Sequence, residues 1–410
     1  MGLARRMMRL GKRKETAVAK RRLRRALLEP LEPRLLLSAD LSYTMTGTSD
    51  DLTLRLEDVE GTDTLKLIDN DDLSILASQA LDETSAVEIL GSDQSDILTI
   101  DFGFDGLLDL LPISFTDDSA GDSDWLEILG PDATWNITGA DTGSVDNVDF
   151  FGIENLTGGP DNQDTFVFEE GGSLSGVVEG GAGGFDSLVI QGGTYDTVIF
   201  TPTGPDAGTA DLDGDVITYA GLEPITMSGT SSVTVNGSPL GDTLLVDLDG
   251  SNVRVQADGT MESLSFGVPT ASLTINGGLG DDSVTIEESL NMPGADLTIN
   301  AETITVNSGV TITANDISLI SDATDDGNAL DLLDPLLDPI DYLNLTDNAS
   351  VDEFLFADID AIVDVSGATL IGSNITLSAT SSLDLSTTGF VISGVGIAAI
   401  YAGSNAEVDR

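Results

Sequence analysis

The stretch Gly277-Gly278-Leu279-Gly280-Asp281-Asp282-Ser283-Val284-Thr285 decides how this chain is read. Its first half is glycine and acid, the composition of a tight turn. From Asp282 onward polar and apolar residues alternate through Ile286. Glycine supplies the positive φ that such a turn needs, and an Asp carboxylate caps free backbone N–H groups before a strand begins. Period-two alternation with β-branched residues, bounded by turn residues, is the pattern of a strand.

The same Asp-x-apolar-x-apolar signature starts at Asp63, Asp96, Asp124, Asp164, Asp186, Asp196, Asp242 and Asp282, with spacings of 10 to 46 residues. This is degenerate repetition rather than a strict array. Further alternating runs are Leu52-Thr-Leu-Arg-Leu56, Val233-Thr-Val235, Val253-Arg-Val255 and Leu273-Thr-Ile275. Toward the C-terminus, strand starts fall near Leu297, Ile304, Val310 and Ile317, then near Ile375, Leu383, Phe390 and Ile397. Intervals of six to eight residues suit successive faces of a coil. The predicted fold is therefore all-β, a parallel β-solenoid or β-helix-like body. Tandem β-sandwich modules are the alternative, disfavoured because sandwiches place turns every 8–12 residues or so. Helical spacing is nearly absent after residue 40. Residues 329–340 (ALDLLDPLLDPI) are the exception, and their two prolines limit any helix to a turn or two of a surface excursion.

Composition excludes much chemistry. The chain has 410 residues with no histidine and no cysteine. Disulfides, thiol nucleophiles, Ser-His-Asp triads and zinc fingers are ruled out, and any metal must be a hard cation held by oxygen. At 40% hydrophobic residues and a mean hydropathy of +0.10, the chain is apolar enough to bury a core. Net charge is −55 and strongly segregated. Residues 1–34 carry 12 bases against three acids, while the rest carries only Arg55, Lys66, Arg254 and Arg410 against 68 acids. The organisation predicted is a basic, helical or disordered leader over 1–40, an irregular acidic β-repeat region over 41–229, and a more regular solenoid over 230–410.

No nucleic-acid partner is expected: the acidic body repels phosphate, and no stacking aromatic lies among the leader's arginines. A cationic start followed by apolar residues is how export signals begin. Residues 26–39 (ALLEPLEPRLLLSA) are broken by two Glu, two Pro and an Arg, so a less standard leader, read by an export machinery, is expected.

Leu31-Glu32-Pro33-Arg34 followed by Leu35-Leu36-Leu37-Ser38-Ala39-Asp40 resembles the LEPR-XLL motif found near the N-termini of very large bacterial proteins with adhesin-like bodies. The resemblance covers about ten residues. It implies a secreted or cell-surface protein, with host, matrix or other cell-surface ligands as partners and a full length that can exceed this chain. It supplies no catalytic residues. Ile375-Thr-Leu-Ser-Ala379 is similar to the strands of filamentous-haemagglutinin-type adhesins.

The opening stretch also matches the repeats-in-toxin nonapeptide G-G-x-G-x-D-x-U-x at every fixed position. Residues 181–189 (GAGGFDSLV) match it with Ala182 in place of the second glycine, and residues 159–167 keep only the first Gly, the Asp and the apolar position. In that family, glycine carbonyls and Asp carboxylates of successive turns share Ca²⁺. The implied ligands are Gly278, Gly280 and Asp282, with Gly183 and Asp186 at the second copy. Neither copy has a neighbour nine residues away, so a plain Gly-Asp turn entering a strand stands beside the metal reading.

Other candidates carry less. Asp211-Leu212-Asp213-Gly214-Asp215 superficially resembles an EF-hand loop, but position 12 is Leu222, and a hairpin turn is expected. Asp69-Asn70-Asp71-Asp72 reads as a turn with solvated acids. No Walker-type glycine loop is present. Carboxylate pairs are inevitable among so many acids. A secreted carbohydrate-active enzyme on a β-helix is nevertheless the alternative function, disfavoured because such lyases also use Lys or Arg, which the body lacks. The uncharged residues 385–406 continue the strand rhythm, so no transmembrane span is expected. Trp125 and Trp135 are assigned to core or cap.

Overall fold

The computed structural model describes residues 39–46, 50–103, 111–119, 121–257, 259–321 and 362–379. Beyond these it describes the strands Asp384–Leu385, Val391–Ser393, Ile397–Ala402 and Glu407–Val408. The basic leader and the excursion at 329–340 lie outside the described residues. The body is an all-β solenoid. Its described strands fall into one sheet of 15 strands and one of 16, and a four-stranded sheet and the two-stranded pair Asp384–Leu385 with Glu407–Val408 are added toward the C-terminus.

The chain passes from one face to the other at each corner. Ile97–Asp101 lies in the 16-stranded sheet, Ile113–Thr116 in the 15-stranded sheet, and Trp125–Leu129 returns to the first. Each coil stacks on the previous one in parallel, with Leu98 opposite Leu126 and Ile100 opposite Ile128. From residue 283 a third face appears, formed by Leu290–Met292, Thr311–Ala314, Thr369–Ile371 and Val391–Ser393. A three-faced coil then closes in 20 residues. The six-to-eight-residue intervals in the sequence are the successive faces of this coil.

Register is fixed by the inward residues, because a one-residue slip would turn every apolar side chain outward. Val233, Leu273, Leu297, Ile317 and Ile375 form one column of aligned neighbours, and Val235, Ile275, Ile299, Leu319 and Leu377 form the next. All ten are buried. At roughly 1.5–3 kcal/mol per fully buried aliphatic side chain, these columns are the main stabilising term of the C-terminal coils. They continue beyond residue 321, where Asp316–Ser321 pairs in register with Asn374–Ala379, 58 residues on.

The solenoid is not purely parallel. Among the described residues, four three-stranded antiparallel meanders are built into it. Asp51–Val59, Thr62–Asp69 and Ile75–Ala80 form the first, and Thr134–Gly139, Thr142–Val145 and Val148–Phe151 the second. Thr197–Gly204, Ala207–Leu212 and Asp215–Ala220 form the third, and Thr243–Asp249, Asn252–Ala257 and Met261–Phe266 the fourth. They alternate between the two large sheets. In the last three, the first strand pairs with the following coil and the third with the preceding one, so parallel stacking resumes on both sides. Asp213 (φ 56°) and Gly214 (φ 103°) make the two-residue reversal that the sequence at 211–215 suggested, and the Gly214 N–H donates to Asp211 Oδ1 at 2.7 Å. The sheets also run across residues 229 and 230 without a break. Among the described residues, no helix is long and apolar enough to cross a membrane, and Val391–Ser393 and Ile397–Ala402 within 385–406 are strands.

Candidate metal centre

Seven of the eight signature aspartates stand immediately before a strand; Asp63 lies inside one. Asp96, Asp124, Asp164, Asp186, Asp242 and Asp282 are buried at the corners. Their carboxylates cap their own corner: Ser92 N–H donates to Asp96 Oδ2 (2.6 Å), Gly159 N–H to Asp164 Oδ2 (2.8 Å) and Ser238 N–H to Asp242 Oδ2 (2.5 Å). They also join coils. Asp50 N–H donates to Asp96 Oδ1, Asp96 N–H to Asp124 Oδ1 and Asp124 N–H to Glu154 Oε2, at 2.8–2.9 Å. Asp164 N–H donates to Asp186 Oδ1, Asp242 N–H to Asp282 Oδ1 and Asp282 N–H to Glu302 Oε2, at 2.7–2.8 Å. A carboxylate accepting such bonds satisfies backbone donors that the corner leaves without a strand partner.

The residues implied as Ca²⁺ ligands sit on these corners. Gly278 (φ 118°), Gly280 (φ 116°) and Asp282 share one corner, stacked on residues 237–242. Gly183 (φ 75°) and Asp186 share another, stacked on residues 158–164. The adjacent turn absent from the local sequence is thus supplied from 40 and 22 residues away. Burial, helped by Asp164, Asp132 and Glu223, pushes the Asp186 carboxyl up to about 6. Among the described residues, neither corner belongs to a group of three close acids.

Among the described residues that group is Asp96, Asp117 and Asp124, each giving one carboxylate oxygen to a set lying within 4.8 Å of one another. All three are buried. Asp117 follows Ile113–Thr116, and its backbone is held by the next coil, since its N–H donates to the Phe151 carbonyl at 2.8 Å. Its Oδ1 accepts from the Ser119 N–H (2.6 Å) and Oγ (2.5 Å). The site therefore lies where the corners 91–96 and 117–124 of consecutive coils meet. Burial, with the charges of Asp117, Asp122 and Glu154, pushes the Asp124 carboxyl up to about 7 against the opposing hydrogen bond from Asp96 N–H. The group can hold a metal ion. Asp96 and Asp124 were visible in sequence as strand-entry acids, but Asp117 stands outside that pattern; the available signal was an acid at each end of the second corner, Asp117 and Asp124.

The described bases do not reach this site. Arg55 and Lys66 both pair with Glu57, and Arg254 binds Asp247 through Nε (2.8 Å) and Nη2 (2.5 Å). A second acidic group lies at Glu262 on Met261–Phe266, whose carboxyl is pushed up to about 7 by burial, reinforced by Glu223 and Asp206. The folded state then holds this proton more tightly than the unfolded chain does. Its stabilising contribution is complete below the ordinary Glu range and is lost as pH rises toward 7. Chelator-treated protein should accordingly melt higher at pH 5 than at pH 8 by circular dichroism. Glu262→Gln should remove on the order of 1 kcal/mol of that difference, a figure reduced because the side chain is partly exposed. An unchanged pH dependence in this variant would refute the assignment.

No family model, curated protein or solved structure matches the chain.

Proposed function

We propose that this chain is an exported, secreted or cell-surface, adhesin-like structural and binding protein whose acidic body is stabilised by Ca²⁺. The observation that supports this reading is the coil-on-coil pairing, which among the described residues spreads a repeated surface over 15- and 16-stranded sheets. A depression of about 370 Å³ is lined by Phe102, Ile128, Pro131, Asp132, Asp146 and Asn147, without a base. A scaffold that presents ligands along its length needs repetition and solubility, and unbalanced acid on repeated strands supplies both. The basic leader with its LEPR-XLL-like segment supports export, and the scarcity of Lys and Arg weighs against the carbohydrate-active alternative.

Antibody labelling and protease shaving of intact producer cells test the location. The chain is expected to be labelled and released without lysis. A signal confined to the cytoplasmic fraction would overturn the reading.

A further inference from the structure

We propose that Asp96, Asp117 and Asp124 bind a single Ca²⁺ ion that fastens the corners 91–96 and 117–124 of consecutive coils together. This deepens the cation part of the reading above by giving it one defined site. Three independent features support it beyond the clustering of acids. First, the Oδ2 atoms of Asp117 and Asp124 are buried and accept no hydrogen bond, although both residues are at most 2% exposed. Leaving a carboxylate oxygen buried and unpartnered is costly, and a metal ion removes that cost.

Second, the Asp117 carboxylate reaches across to the neighbouring corner. A Cβ placed on Gly91 would overlap Asp117 Oδ2, so that corner is cut away to admit the carboxylate. Asp124 is aimed at the same corner, because its Oδ1 accepts the Asp96 N–H at 2.8 Å. Third, no described base is placed to neutralise the group, since Arg55, Lys66 and Arg254 are engaged by Glu57 and Asp247. Charge balance therefore falls to a cation or a proton.

The donors are all oxygen, which selects a hard cation. Ca²⁺ binds oxygen at about 2.3–2.6 Å, so its ligands stand at most roughly 5 Å apart, a spacing that a set confined within 4.8 Å satisfies. It also accepts irregular coordination. Mg²⁺ demands a near-octahedral shell and retains several waters, which suits a set of three buried carboxylates poorly. Asp122, joined to Asp117 through the Ser119 hydroxyl, adds negative charge at the rim.

Trp125 directly follows Asp124 and provides the probe. Terbium added to the full chain should luminesce when tryptophan is excited, and Ca²⁺ should quench this by displacement. Saturating Ca²⁺ should raise the melting temperature by about 5 °C over chelator, a shift that Mg²⁺ or NaCl at matched ionic strength does not reproduce. Asp117→Asn, and independently Asp124→Asn, should weaken terbium and Ca²⁺ binding at least about tenfold, because ligand charge sets affinity. In chelator both variants should melt no lower than the unsubstituted chain, since each relieves repulsion among buried acids. That readout separates lost binding from simple damage. Asp58→Asn changes an exposed hairpin acid whose carboxylate accepts the Gly61 N–H at 2.7 Å, outside every candidate corner, and it should bind as before.

Binding unaltered in both triad variants, or equal stabilisation by NaCl, would overturn the site. So would a chain indifferent to Ca²⁺ whose triad instead holds a proton. None of these outcomes alters the cell-labelling result, so the site and the proposed location fail separately.

Discussion

Replacing Trp135 by alanine is expected to lower the unfolding free energy by about 3–5 kcal/mol, the largest loss from any single core side chain here. Trp135 is wholly buried on Thr134–Gly139 and aligned with Phe166 on the next coil. The two rings stack with centroids 5.2 Å apart and an interplanar angle of 18°, and Phe150 packs against the indole at 6.4 Å and 55°. The second meander and the coil that follows it are joined through this aromatic group. Truncation removes the indole's buried area and leaves a cavity between strands whose backbones are held by ladder hydrogen bonds and cannot collapse. The indole Nε1–H is buried without an acceptor, so Trp135→Phe recovers most of the loss: it keeps the ring contacts and removes an unsatisfied donor. Urea denaturation of the three proteins measures the series. A cost below about 1 kcal/mol for the alanine variant would mean that the aromatic cluster is not a packed core.

The fold was legible because its signal is local. In each unit an acid closes the corner and an apolar pair points inward, so the strands at Asp96, Asp124, Asp164, Asp186, Asp196, Asp242 and Asp282 begin where the sequence places them. The C-terminal faces were legible for the same reason. The meanders were not, because a strand such as Ala207–Leu212 has the same alternation whether its neighbour runs parallel or antiparallel; only the turn at Asp213 and Gly214 betrays the reversal. The acidic triad was hidden by distance: Asp117 and Asp124 meet Asp96 only after a full coil. Likewise the partner of the corner at 277–282 lies 40 residues back, beyond any local repeat. Burial was also illegible. Asp196 has the same flanking pattern as Asp186, yet it is exposed while Asp186 is buried.

Glycine in this chain serves two purposes that one-dimensional reading cannot separate. At Gly278 and Gly280 the backbone is left-handed, and any L side chain is strained there. At Gly237 the reason is another coil. A Cβ there would overlap the carbonyl oxygen of Gly277 and stand 2.6 Å from Asp242 Oδ2. Both glycines are fixed from behind, with Gly237 N–H donating to the Asn276 carbonyl (2.8 Å) and Gly277 N–H to the Asn300 carbonyl (2.7 Å). The obstruction is backbone and cannot rotate aside. Gly237→Ala must therefore separate two coils and stretch the Asp242–Asp282 contact between them. A loss of about 3 kcal/mol is expected, at the upper end of what a single added methyl costs. Gly204→Ala is the matched control. Its nearest neighbour would be Ala207 Cβ at 4.0 Å, and reduced freedom of the unfolded chain makes the change neutral or stabilising by up to about 1 kcal/mol. Equal stability of the two variants in urea melts would show that the corners do not stack backbone on backbone, and the coil-to-coil register would then have to rest on the apolar columns alone.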